Sequence, residues 1–230
     1  MKTLAIITAR GGSKRIPRKN ILDFCGKPIM SYSIDAALGS GVFDKVMVST
    51  EDEEIASVAK EYGAEVPFLR SEKTADDYAT TSDVLVEVIE EYEKRGESFD
   101  MIACIYPTAP FIDPGRLKDA VNTLRESKAD SLVPVVRFSY PPQRALKIED
   151  GHLKFIYPEH KDSRSQDLMP HYHDAGQFYV FRRDAFMKNR EIIAGEVLPM
   201  ELSEMEVQDI DNMVDWKLAE LKYRLMQEER

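Results

Sequence analysis

The stretch LAIITARGGSKRIPRKN, residues 4–20, decides how the rest of this chain is read. Its opening, Leu4–Thr8, is a continuous apolar run of strand length. A run apolar on both faces suits a buried parallel strand. The strand runs into a loop that holds Gly11, Gly12 and the cations Arg10, Lys14, Arg15, Arg18 and Lys19. In open α/β sheets ligands bind beyond the carboxyl ends of the strands, commonly at the loop after the first. Two glycines let backbone N–H groups come close to phosphate oxygens. Arg10, Lys14 and Arg15 can neutralise a triphosphate and stabilise charge that moves onto its leaving group. Pro17 stiffens the loop. The spacing is neither GxxxxGK[ST] nor GxGxxG, so this is no Walker loop and no dinucleotide fingerprint. A solvated basic surface loop is the plainer alternative, and the placement directly after a buried strand weighs against it.

Further along, Val46–Ser49 and Met101–Tyr106 repeat the strand signal, and helical stripes lie between. Met30, Ile34, Ala37 and Leu38 share a face that ends at Gly39 and Gly41. Ile55, Val58, Ala59 and Tyr62 follow an acidic first turn, which suits a helix N-terminus. Val84, Leu85, Val88, Ile89 and Tyr92 form a third stripe. Leu117, Ala120, Val121 and Leu124 form a fourth, with Asp113-Pro114 as N-cap and first helical residue. This alternation predicts βαβ units: an α/β fold of three layers with a mostly parallel sheet. After Asp130 the rhythm changes. Ser131–Arg137 and Gln177–Phe181 read as strands, and Ala145–Tyr157 as a hairpin turning at Asp150-Gly151. Residues 158–175 read as a long polar loop, functional or an interface element. A single domain spanning 1–230 with an inserted β-rich arm at about 138–175 is therefore expected. The closing helix carries Val214, Leu218, Leu221 and Leu225, which are expected in the core.

The 230 residues are 43% hydrophobic and 31% charged, a balance that fits a globular enzyme rather than disorder. No apolar run approaches the ~20 residues that span a bilayer, so no membrane role is expected. Two cysteines, Cys25 and Cys104, are too few for a disulfide framework and fit a reducing cytoplasm. The net charge of −10 argues against nucleic acid as a partner. Residues 1–30 nevertheless hold seven Lys or Arg against one acid, Asp23. A basic focus on an acidic body attracts a small polyanion better than a long one.

Asp209-Ile210-Asp211 places two carboxylates on one face of an extended segment. Two hard oxygen ligands at that spacing can hold Mg²⁺ against phosphate oxygens. Alone, the pair would read as an exposed turn, or as the cap of the following helix, which Asp211 is expected to supply in any case. Beside the basic loop, metal binding by Asp209 and Asp211 becomes the stronger reading. Arg164, Gln166, Asp167, His171, His173, Asp174, Gln177 and Tyr179 crowd the long loop and the next strand. Arg164, Gln166, His173, Asp174, Gln177 and Tyr179 are candidates to hold a polar acceptor. A dimer-interface role for the same loop is compatible with that. A transition-metal site at His171 and His173 lacks a third ligand at diagnostic spacing.

At the 4–20 string the chain resembles the CMP-sialic acid synthetase group of cytidylyltransferases, which activate nine-carbon acidic sugars. The resemblance continues in order through Gly26-Lys27-Pro28, Val48-Ser49-Thr50, Gly63-Ala64-Glu65-Val66, Leu69-Arg70, Pro107-Thr108-Ala109-Pro110 and Asp209-Ile210-Asp211. Within the group, residues 15–20 and 173–179 look most like the branch that acts on pseudaminic acid. The resemblance implies a nucleotide-diphospho-sugar transferase (Rossmann-like) fold with a dimerisation arm, and a homodimer. It implies CTP as co-substrate, Mg²⁺ as cofactor, and a CMP-sugar plus pyrophosphate as products. Carried over by motif, Arg10 and Lys14 would contact the triphosphate, within a string that includes Ala9, Gly11, Gly12, Ser13 and Arg15. Asn20 and Arg70 would hold the cytidine moiety, with Thr80 and Thr81 nearby. With Asp211, Arg10 and Lys14 make up the expected catalytic set. One departure matters: where sialic acid enzymes have Gln facing the sugar, this chain has Tyr106, which weighs against N-acetylneuraminic acid. The same reaction on N-acetylneuraminic or legionaminic acid is the near alternative, and the 3-deoxy-octulosonate enzymes resemble the first loop less well. More distant alternatives are a nucleotide-sugar-dependent glycosyltransferase and a non-catalytic nucleotide sensor.

Overall fold

The computed structural model describes residues 1–76 and 78–228. The first half runs β1 (Thr3–Thr8), a small hairpin of β2 (Asp23–Phe24) and β3 (Lys27–Pro28), α1 (Ile29–Ser40), β4 (Lys45–Ser49), α2 (Glu53–Glu61), α3 (Glu72–Ala75), α4 (Thr81–Lys94), β5 (Met101–Ile105), α5 (Pro114–Glu126) and β6 (Ser131–Arg137). The second half runs β7 (Leu146–Glu149), β8 (His152–Phe155), β9 (Tyr172–Asp174), β10 (Phe178–Arg182), α6 (Arg183–Asn189), β11 (Val197–Leu202) and α7 (Met213–Glu228). The main sheet has the order β11-β6-β10-β5-β1-β4, with β9 also on β6. β4, β1, β5, β6 and β11 share one direction, while β10 and β9 oppose it.

Both faces of this sheet are covered, as the apolar strand runs require. Ala5 and Ile7 of β1 join Met30 and Ile34 of α1, Ile55 of α2 and Leu117 of α5 on one side. Leu4 and Ile6, offset by one residue, join Leu85, Val88, Ile89 and Tyr92 of α4 on the other. Three of the helices start where the sequence provides a cap. Asp52 accepts from the N–H groups of Glu54 and Ile55, Thr80 and Asp83 form a reciprocal capping box, and Asp113 precedes Pro114. The expected hairpin forms β7 and β8 as a separate two-stranded sheet, with Asp150 and Gly151 both at positive φ. Among the described residues no helix is long and apolar enough to cross a membrane.

Two expectations are corrected at the C-terminal end. Val214, Leu218, Leu221 and Leu225 face solvent, Val214 being 75% and Leu221 59% exposed. Trp216 and Ala219 are buried instead, with Tyr223 and Met226 packed beside them. The spacing of 216, 219, 223 and 226 is as helical as that of the leucines. Aromatic interlock decides between the two faces: the rings of Trp216 and Tyr223 meet Phe24 edge-on at 5.5 and 5.7 Å. Nor does Asp211 cap α7. Asn212 Oδ1 accepts from the N–H groups of Val214 and Asp215, and Asp215 accepts in return from those of Asp211 and Asn212.

Candidate active site

The carboxyl ends of β1, β4 and β5 open onto a cleft of about 550 Å³, a volume suited to a small-molecule ligand. Its lining includes five cations, Arg10, Lys14, Arg15, Lys19 and Arg70. Ser13, Asn20, Thr80, Thr81 and Tyr106 complete the expected residues that it brings together. Ala9 and Gly11 frame the loop from behind. The Ala9 N–H donates to the Ser49 carbonyl at 3.0 Å, carrying the β1–β4 pairing one step into the loop. The Gly11 N–H, expected to face phosphate, donates instead to Glu51 Oε1 at 2.7 Å. A Cβ on Gly11 would lie 2.7 Å from Asp52 Oδ2, so glycine is needed there for close approach, whereas a Cβ on Gly12 would meet nothing within 4 Å.

The five cations of the loop itself divide by partner. Arg18, at positive φ, turns away from the cleft and pairs with Asp52 and Glu54, holding the Asp52 carboxyl down at about 2. Arg15 meets Asp211 at 2.6 Å. Lys19 Nζ donates to the Ile210 carbonyl at 2.7 Å. Burial lowers the Lys19 pKa, while the charges of Asp211 and Asp209 oppose that shift. Lys19 is the one cation of the cleft that the sequence reading leaves out of the site, together with the uncharged Thr8, Thr74 and Thr108 that also line it. The Lys19 charge was visible, but nothing in the loop's composition distinguishes it from Arg18, which points elsewhere.

Arg70 and Asn20 form the floor. Arg70 is only 8% exposed and donates from Nε and Nη2 to the side chain and carbonyl of Ser49. Burial lowers its pKa, and the nearby charges of Glu51 and Glu87 act the other way. Asn20 Nδ2 donates to the Arg10 carbonyl at 2.8 Å, which fixes the turn that presents Arg10. One apolar cluster sets the spacing between loop and aspartates. Ile16 of the loop and Ile210, between the two aspartates, are buried together with Phe24, Ile29 and Trp216. Burying Ile210 leaves Asp209 and Asp211 on the opposite side of an extended segment.

Such a cleft, cationic at one wall with carboxylates at its rim, fits a nucleoside triphosphate. The sequence matches the Cytidylyltransferase family over residues 4–225. The chain belongs to that family. It is 42% identical over 229 residues, 99% of each chain, to the pseudaminic acid cytidylyltransferase of Campylobacter jejuni subsp. jejuni serotype O:2. It is 33% identical over 235 residues, 99% of each, to the CMP-N,N'-diacetyllegionaminic acid synthase of Legionella pneumophila. Among solved structures, a CMP:2-keto-3-deoxy-manno-octonic acid synthetase complexed with CTP superposes with a TM-score of 0.72 at 18% identity, covering 99% of this chain and all of that one. The cytidylyltransferase fold expected from the sequence is therefore the fold observed.

In this cytidylyltransferase the acceptor-side candidates fall into two groups. Tyr106, Asp174, Gln177 and Tyr179 gather where β9 and β10 approach the end of β5, and His173 is the neighbour of Asp174 on β9. The Tyr106 N–H donates to the Gln177 carbonyl at 2.8 Å, and the Tyr106 and Tyr179 rings meet edge-on at 5.6 Å. Tyr179 is 4% exposed and Gln177 is equally buried, its Nε2 donating to the Glu206 carbonyl. His173 packs against Phe138 with the rings tilted, and its Nδ1 lies 2.9 Å from the Asp174 carbonyl oxygen. Arg164 and Gln166 form the second group. They sit exposed on the arm, Arg164 beside Asp167, and of all the acceptor-side candidates only Tyr106 lines the cleft.

Among the described residues no cluster of three or more His, Cys, Asp or Glu could by itself enclose a metal. The two aspartates nevertheless fit Mg²⁺. That ion takes one or two carboxylates and completes its octahedron with phosphate oxygens and water.

Proposed function

We propose that this protein transfers CMP from CTP to the anomeric hydroxyl of a nonulosonic acid, pseudaminic acid by preference, and releases pyrophosphate. The observation that carries this reading is the gathering of five cations in one nucleotide-sized cleft, two of which, Arg15 and Lys19, are joined to the Asp209–Asp211 segment. The activities named for the Campylobacter and Legionella relatives support the acceptor class, and the higher identity to the former favours pseudaminic acid.

In this reaction the acceptor oxygen bonds to the α-phosphorus as the bond to the bridging oxygen of pyrophosphate breaks. Little covalent chemistry is asked of the protein, so positioning and charge neutralisation do most of the work. Arg10, Lys14 and Lys19 take up the charge of the departing pyrophosphate. Asn20, Arg70, Thr80 and Thr81 seat the nucleoside end, with Ser13 and Gly12 lining the phosphate path. Asp209 and Asp211 would hold Mg²⁺, which supplies charge neutralisation and orientation of the triphosphate when bound. Arg15 is paired with Asp211, and that carboxylate would have to leave the pair to hold the ion.

His173, Asp174 and Gln177 form the acceptor end beside Tyr106. Arg164 and Gln166 reach an acceptor from the arm of a second copy in a homodimer. The arm's exposed apolar side chains, Tyr140, Ile148, Leu153 and Met169, support that assembly, and light scattering of the intact protein tests it. Both cysteines are unpaired thiols, which supports the cytoplasm as its location. The reading is tested by incubating CTP and Mg²⁺ with pseudaminic, legionaminic and N-acetylneuraminic acids and weighing the products by mass spectrometry. CMP-pseudaminic acid is expected as the main product. A preference for another acid changes the acceptor, and an unchanged CTP pool removes the reaction.

A further inference from the structure

α3 is a single turn, and a helix that short has no stability of its own, so its place is set by what it touches. Ser71 stands at its N-cap but makes no capping bond there. Both polar groups of Ser71 go instead to Glu87, in the second turn of α4. The Ser71 N–H donates to Glu87 Oε1 at 2.7 Å and its hydroxyl to Oε2 at 2.7 Å. The hydroxyl of Thr74, a residue only 5% exposed, donates to Oε2 as well. One carboxylate thus accepts three hydrogen bonds from a stretch that begins directly after Arg70. The cleft is lined by Arg70 and Thr74 on the α3 side of this contact and by Thr80, Thr81 and Val84 on the α4 side.

We infer that Glu87 is a positioning residue: it holds the Arg70–Thr74 stretch against α4 and so sets the width of the nucleotide end of the cleft. For its ligand, CTP, the inference rests on the functional reading above. Glu87 does not itself line the cleft, so it acts through Ser71 and Thr74. The stretch is fixed at its other end too, where the Arg70 N–H donates to the Thr50 carbonyl and its side chain to Ser49, beside β4. Bonds to an ionised acceptor are about twice as strong as neutral ones. Burial acts to raise the Glu87 pKa, but the bonds from Thr74 and Ser71 and the charge of Arg70 outweigh it and hold the carboxyl below its usual value. The sign of the effect separates positioning from charge. A carboxylate close to the cations of a triphosphate site weakens anion binding by electrostatics alone, so removing it would tighten CTP binding. Loss of the hold does the reverse, because the stretch must then be ordered when CTP binds.

The test compares wild type, Glu87→Ala and Glu87→Gln by calorimetric titration with CTP, by steady-state kinetics with the acid sugar, and by timed trypsin digestion without nucleotide. Glu87→Ala is expected to bind CTP about tenfold more weakly, the order of one lost hydrogen bond to a charged group, while kcat at saturating CTP stays near wild type. Glu87→Gln keeps the reach and one accepting oxygen, and is expected to fall between the two. Lys73 is an exposed trypsin site inside the held stretch, and cleavage there needs the stretch to open locally. Glu87→Ala is expected to be cut after Lys73 about tenfold faster than wild type. Equal or tighter CTP binding by Glu87→Ala, a kcat that falls along with the affinity, or equal cleavage rates would overturn the inference. A wild type that binds no CTP removes the functional reading separately, and the cleavage rates then decide on the hold alone: faster cutting of Glu87→Ala retains it, and equal cutting overturns it.

Discussion

At Gly11 the backbone passes so close to Asp52 that a methyl group has no room, because Asp52 is held from three directions. It caps α2, pairs with Arg18 and lies against the loop. Gly11→Ala is therefore expected to cost about 1–3 kcal/mol, the usual scale of overpacking, while Gly12→Ala leaves the melting temperature near wild type. Equal melting of the two variants would contradict the packing around Asp52. Asp52 also makes a pH prediction. Its folded pKa is depressed to about 2, first by the Arg18 hydrogen bond and then by backbone N–H groups of α2 acting against burial. A depressed carboxylate contributes stability that is complete above its unfolded pKa and disappears as pH falls through the folded one. Asn caps a helix as well as Asp, so Asp52→Asn isolates the charge. Wild type should exceed Asp52→Asn by about 1–2 kcal/mol in urea unfolding at pH 6, a gap that narrows from about pH 4 toward pH 2. A gap independent of pH would mean that the Arg18 pair contributes nothing.

Elements differ in how far the sequence reveals them. β1, β4 and β5 are legible because sheets covered on both faces demand apolar residues at every position. The β7–β8 hairpin is legible because Asp150-Gly151 supplies two residues that tolerate positive φ. β11 escapes notice: it is an edge strand, only partly buried, with Pro199 inside it and no clean alternation. α7 shows the limit of periodicity, since both of its apolar stripes obey the helical spacing and only packing chooses between them. That choice is testable. Trp216→Ala should cost about 3–5 kcal/mol by opening the cluster that seats Ile16 and Ile210. Leu221→Lys on the exposed stripe should change stability by no more than ~0.5 kcal/mol. The reverse order would restore the leucine stripe to the core. The basic loop was legible as an anion site from its place after β1. Which of its cations face inward was not, because Arg18 and Lys19 are adjacent and alike in charge. Their different roles depend on Asp52 and Ile210, residues remote in the chain.

On the scale of the whole molecule, an acidic chain gathers Arg10, Lys14, Arg15 and Lys19 into one cleft and joins two of them to the segment Asp209–Asp211, remote in sequence. A single hydrophobic cluster fixes that meeting, so folding and catalysis depend on the same contacts. The most direct measurement is pyrophosphate release from CTP and pseudaminic acid, with Mg²⁺ and after chelation, by wild type and Asp211→Ala. Release by wild type is expected to need both the acid and the metal. Turnover by Asp211→Ala is expected to be more than ~10²-fold slower, the order of effect when a charge-stabilising group is lost, with an unchanged melting temperature. Turnover by Asp211→Ala at the wild-type rate, or no release by wild type with any nonulosonic acid, would contradict the proposed reaction.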